Sequence, residues 1–89
     1  MNSKTNWELQ IDPSVYKSLK RIPVKDKKRI LSFFSELEIN PYSGDIAKIK
    51  NQENIWRRRI GSYRIFFEIY LEEKVVHVFH VERRTTTTY

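Results

Sequence analysis

With 89 residues, no cysteine and a formal charge of +6, the chain has room for one small core and cannot supplement it with disulfides or a thiolate metal site. No apolar run approaches the roughly 20 residues of a membrane span, and the opening MNSKTNWELQ lacks a signal peptide's apolar segment; a single domain over residues 1–89, soluble and cytoplasmic, is expected. The basic balance favours an acidic partner, whether nucleic acid, an acidic protein or an anionic membrane surface.

Trp7, Leu9 and Ile11 alternate with Glu8 and Gln10, the period-2 pattern of a half-buried strand. Asp12-Pro13 then supplies an N-cap and a proline at the first helical position, where a missing N–H costs nothing. Val15, Leu19 and Ile22 line one face of the resulting helix, Lys17, Lys20 and Arg21 point outward, and Pro23 stops it. A second helix is predicted from Lys25 or Asp26, with Ile30, Phe33, Phe34 and Leu37 as its apolar stripe. Lys27, Lys28 and Arg29 crowd its first turn against the positive end of the helix dipole, as a solvated face or as a positive patch retained for binding. Asn40-Pro41 ends this helix, because the residue before a proline is pushed out of the α region. Residues 41–54 are polar and weakly periodic, and read as a loop carrying Lys48 and Lys50, with a turn at Tyr42-Ser43-Gly44.

The stretch IWRRRIGSYRIFFEI, residues 55–69, mounts Arg57, Arg58, Arg59 and Arg64 among aromatic and branched residues. Alternation puts Ile55, Arg57 and Arg59 on one side and Trp56, Arg58 and Ile60 on the other, Gly61-Ser62 makes a short connection, and residues 63–71 form a second strand. Guanidinium groups are planar and permanently charged, with a fork of donors that matches phosphate geometry, so several on one hairpin suit a phosphodiester backbone. A solvated basic strand is the alternative for any single arginine. After a turn at residues 71–74, VVHVFHV (75–81) is continuously apolar and is expected as a central strand buried on both faces. His77 shares parity with Val75, Phe79 and Val81 and is expected to face the core or the helices. His80 shares parity with Glu82 and Arg84, and is the candidate acid or base because histidine ordinarily titrates near neutrality. Two histidines three apart on a strand point to opposite faces, which argues against a shared metal. Trp7, Trp56 and Phe66 are candidate stacking platforms, but in so small a domain they are expected mainly in the core. The order β-α-α-β-β-β predicts an α+β fold, a mostly antiparallel sheet with both helices on one face and the other face open to a ligand.

Read as a whole, residues 7–89 resemble the RelE/ParE toxin superfamily of toxin–antitoxin systems. WRRRIGSYRIFFEI is similar to that family's aromatic-Arg-x-Arg-x-Gly-x-Tyr-Arg segment and the apolar strand after it, and VERRTTTTY to its Val-x-x-Arg followed by a tyrosine. The resemblance implies a compact toxin neutralised by a cognate acidic antitoxin that wraps around it as a peptide or helix. In the RelE-like branch it implies cleavage of mRNA in the ribosomal A site with neither a metal nor another cofactor, and no membrane partner. Carried over, Arg57 and Arg59 fall on two phosphate-contacting positions, Arg64 on the arginine of the Tyr-Arg pair, Arg84 on the arginine after the last strand and Tyr89 on the closing tyrosine. Lys48, Lys50, Arg58 and Arg83 are the further expected RNA contacts. Some members have lysine at the first two positions; arginine does not lose its proton, so here those residues stabilise charge only.

Metal-free cleavage by a 2′-hydroxyl needs a base for that hydroxyl, cations for the phosphoryl oxygens and stabilisation of the leaving 5′ oxygen. Arg57, Arg59 and Arg64 supply the cations and Arg84 faces the leaving oxygen, while Tyr89 or His80 handles the proton. Two other functions compete: a ParE-like poison that binds DNA gyrase without catalysis, and an RNA-binding module that does not cleave.

Overall fold

The computed structural model describes residues 7–83. Its elements are β1 (Glu8–Ile11), α1 (Pro13–Lys20), α2 (Val24–Ile39), β2 (Ile46–Lys48), β3 (Ile55–Ile60), β4 (Tyr63–Tyr70) and β5 (Val75–Arg83). The five strands make one sheet in the order β1-β5-β4-β3-β2, in which only β1 and β5 are parallel neighbours. This is the expected α+β arrangement with one strand more. β2 lies inside the stretch read as a loop, and three residues are too few for a period to show. Its existence depends on β3, which offers pairing partners to Ile46, Ala47 and Lys48 at Arg58, Arg57 and Trp56.

Local chemistry starts and stops the helices as anticipated. The Ser14 N–H donates to Asp12 Oδ1 at 2.9 Å with Pro13 at the first position, and this hydrogen bond holds the Asp12 carboxyl below its ordinary range. α2 begins one residue before the predicted start, directly after Pro23, whose carbonyl accepts the Lys27 N–H at 2.8 Å. At its other end the Asn40 N–H donates to the Glu36 carbonyl at 2.8 Å while Asn40 Oδ1 accepts the Tyr42 N–H at 3.0 Å, and the chain leaves extended into Pro41.

Both helices pack on one face of the sheet. Val15, Leu19, Ile30, Phe33, Phe34 and Leu37 meet Ile65, Phe67, Ile69, Val76 and Val78, with the Phe33 and Phe67 rings 5.7 Å apart. Trp7, Tyr42 and Trp56 stack edge to face along the flank of this core, with centroids 6.1 and 5.9 Å apart. Trp7 and Trp56 are therefore packing residues as expected. Phe66 is not, because strict alternation along β4 buries Tyr63, Ile65, Phe67 and Ile69 and turns Phe66 to the opposite face.

β5 departs from its expected pattern. Among the described residues it is covered on one face only, and its continuous apolar run conceals a bulge: Phe66 pairs with His80 and Phe67 with Val78, leaving Phe79 as the extra residue. The bulge reverses the parity of the strand, so Val76 and Val78 before it and Val81 after it all face the helices. His77 and His80 consequently share the opposite face. The expectation of a helix-facing His77 is overturned, and so is the expectation that the two histidines point apart. Among the described residues, no three potential metal ligands gather around them.

Candidate functional site

No described element covers the second face of the sheet, and the strand register lays out its side chains in rows. At the β3–β4 hairpin end, Arg59 stands opposite Arg64 and Arg64 opposite Glu82. The next row is Ala47, Arg57, Phe66 and His80, and the one after it Ile55, Glu68, His77 and Gln10. Gly61 shapes this end of the site. Its φ of +57° at the first of two loop residues is the left-handed geometry that closes a tight hairpin with the right twist. That closure brings Arg59 and Arg64 into register, two like charges side by side in a position that disfavours the fold.

The acid in the first row moderates this charge. Glu82 lies 4.0 Å from Arg64 Nη1 and 3.2 Å from His80 Nε2, and spans the two from β5. Arg64 Nε is buried with no hydrogen-bond partner among the described residues. Beside it, Arg57 and Arg59 join Asp45 and Ala47 around a hollow of about 180 Å³. The cations thus stand ready to receive an anion, with Glu82 and Asp45 as the carboxylates beside them among the described residues.

Further along the face, His77 Nδ1 lies 2.9 Å from Glu68 Oε1, both side chains about one quarter to one third exposed. The same carboxylate raises the neighbouring Tyr70 phenol above its ordinary pKa by favouring the protonated form. Between this cluster and the arginines lies an aromatic run, with Phe66 5.6 Å from His80 and 6.5 Å from Phe79, and Phe79 6.2 Å from His77.

Of the residues expected to form a site, the structure brings together Arg57, Arg59, Arg64 and His80. Arg58 is placed elsewhere: alternation sends it to the helix side, where its guanidinium lies 4.8 Å over the Phe33 ring and 3.6 Å from Glu36. Lys48 is on that side too, 6.0 Å over the Trp56 ring, as is Arg83, opposite Tyr63 near Ser18 and Arg21. Lys50 is exposed in the loop after β2. Arg84 and Tyr89 lie outside the described residues. Sequence reasoning missed Glu82 as a bridge between Arg64 and His80, and missed the Glu68–His77 pair altogether. Only the bulge puts His77 on this face, and a one-residue bulge within an apolar run leaves no mark in a periodicity.

Residues 9–87 match the family model described as the ParE toxin of the type II toxin–antitoxin system parDE. The chain is 25% identical over 81 residues to the RelE1 toxin of Methanocaldococcus jannaschii, covering 88% of this chain and 90% of that one. Among solved structures it is similar to the archaeal RelE–RelB complex from Pyrococcus horikoshii, with a TM-score of 0.80 at 24% identity over 91% of this chain and 98% of that one. It is also similar to the RelB–RelE antitoxin–toxin complex from Methanococcus jannaschii, with a TM-score of 0.73 at 28% identity over 84% and 90% of the two chains.

Proposed function

Because the chain belongs to the RelE/ParE superfamily of type II toxin–antitoxin toxins, we propose that it is a ribosome-dependent endoribonuclease held inactive by a cognate antitoxin. One observation carries the reading: Arg57, Arg59 and Arg64 share the uncovered face of the sheet with His80, at the cost of a like-charge pair between Arg59 and Arg64. A fold gains nothing from that pair. A phosphodiester does, because the two guanidinium groups present parallel donors to its oxygens.

In the proposed reaction a 2′-oxygen attacks the adjacent phosphorus, the bond to the 5′ oxygen breaks, and a 2′,3′-cyclic phosphate and a free 5′-hydroxyl result. Arg57, Arg59 and Arg64 hold the phosphoryl oxygens as their charge grows. The proton from the 2′-hydroxyl passes to His80 or to the Tyr89 oxygen in its phenolate form, and Arg84 stabilises the departing 5′ oxygen until water protonates it. Replacing any of Arg57, Arg59 or Arg64 by alanine removes on the order of 3 kcal/mol of transition-state stabilisation, roughly a hundredfold in rate. Primer extension on mRNA from a translating extract, with and without the protein, tests the reading. Internal stops that appear only with the parent protein support it, and their absence refutes it.

The matched family model is that of a ParE toxin, which favours a second reading, a non-catalytic poison of DNA gyrase. Gyrase supercoiling assays with the same preparations separate the two. Inhibition of supercoiling without mRNA cleavage selects the gyrase reading.

A further inference from the structure

Charge accounts for only part of the open face. Phe66 lies at its centre, opposite Arg57 on β3 and His80 on β5, with Arg64 and Glu68 two residues to either side on its own strand. An outward position on a sheet covered on one face is ordinarily polar, and the core is complete without this ring: Ile65 and Phe67 on the same strand are fully buried and Phe66 is not. Phe79 adds a second ring, delivered to this face by the bulge, and the His80 imidazole a third, 5.6 Å from Phe66 and inclined to it by 41°. Three adjacent ring systems, none of them buried, thus stand one position from a row of guanidinium groups.

We propose that Phe66, flanked by Phe79 and His80, is a nucleobase-stacking subsite for single-stranded RNA, holding the base of a nucleotide whose phosphate lies on Arg57, Arg59 and Arg64. The proposal rests on the endoribonuclease reading above and specifies how that site grips its substrate. Cross-strand neighbours have Cβ atoms about 5 Å apart, so Arg57 and Phe66 are spaced to take the two ends of one nucleotide, phosphate and base. The charge beside the rings selects the occupant: Arg57 in their own row and Arg59 and Arg64 in the next stand against the carboxylates of Glu82 and, on the far side of Phe66, Glu68. Stacking on an aromatic platform suits any base, because every base has a π-face, and it requires the base to be unpaired. His80 then has two properties, a ring beside the base and a nitrogen near the phosphate.

The test is fluorescence anisotropy at one fixed salt concentration with two labelled hexaribonucleotides, one intact and one with a single abasic ribose moved through the sequence. The parent is expected to bind the intact oligomer about five- to a hundredfold more tightly than the abasic one at the stacked position. Phe66→Leu keeps an apolar side chain of similar bulk and is expected to bind both oligomers within twofold of each other. Phe66→Trp restores the difference. Circular dichroism verifies that each variant is folded, and primer extension on translating mRNA is run on all three proteins. If the parent cleaves but Phe66→Leu discriminates as the parent does, or if the parent does not discriminate, the stacking subsite is wrong and the nuclease reading stands. If the parent neither binds RNA nor cuts it, both fall. If Phe66→Leu weakens binding of the co-encoded antitoxin and leaves RNA discrimination intact, the rings belong to the antitoxin's footprint and the proposal is overturned.

Discussion

Arg59 and Arg64 face each other across the β3–β4 pair, and a like-charge pair in that position costs a few tenths to about 1 kcal/mol. Arg59→Gln is therefore expected to raise thermal stability while lowering cleavage roughly a hundredfold, opposite effects that a melting curve and a single-turnover assay register on one preparation. A variant that loses stability and activity together would mark Arg59 as an ordinary packing residue. In the proposed reaction His80 or Tyr89 takes the proton, and two conservative changes separate them. Tyr89→Phe keeps the ring and removes the oxygen, so cleavage falls while ribosome binding persists if the hydroxyl takes part. His80→Gln produces the larger loss if the imidazole, 3.2 Å from Glu82, is the acceptor. Whichever variant cuts like the parent excludes its residue from the proton path.

The elements were legible wherever a period or a cap was long enough to show. Asp12-Pro13, Asn40-Pro41 and the Gly61-Ser62 connection mark ends that the structure places within a residue or so of expectation, because each depends on local backbone chemistry. β2 and the bulge at Phe79 were not legible, since both are created by a neighbouring strand and carry no chemistry of their own. The face of each arginine in β3 followed from alternation alone, yet which face was open depended on where the helices docked. Arg58 illustrates the consequence: its neighbours share the site, and it braces β3 against α2. Gly44 makes room for that brace, with φ at +86° and a position where a Cβ would collide with the Arg58 guanidinium. Gly44→Ala is expected to destabilise the protein by more than about 1 kcal/mol and to leave the Arg57 and Arg59 chemistry intact in the folded fraction. The cap of α1 predicts a pH effect. The Ser14 hydrogen bond holds the folded Asp12 carboxyl below the ordinary aspartate range, so its contribution is complete above that range and is lost as pH falls through the folded value. Asp12→Asn keeps an acceptor for Ser14 and should flatten this part of the acid unfolding curve.

At the scale of the whole molecule, the described residues leave two surfaces exposed: the cationic sheet face, and apolar side chains scattered over the helices and turns. Tyr16, Val24, Leu31 and Ile39 are exposed on α1 and α2, the helices packed on the face of the sheet opposite Arg57, Arg59 and Arg64. One partner that satisfies both must be acidic where it meets the sheet and amphipathic where it meets the helices, which is the chemistry of a wrapping antitoxin and not of RNA. Such a partner binds the folded chain only, so at about a hundred times its dissociation constant it adds roughly 2.7 kcal/mol of stability, a rise in melting temperature on the order of 10 °C for a domain of this size. High salt should weaken the sheet contacts and spare the apolar ones, so the complex should persist at 1 M salt with slower association. The measurement is a melting curve of the isolated chain against the chain co-expressed with any small acidic protein that proves to be encoded beside it, together with growth of cells carrying either. Cells harmed by the chain alone and protected by the pair, with the expected rise in melting temperature, meet the prediction. A chain that is harmless alone and melts at the same temperature with its neighbour present has no antitoxin in that neighbour.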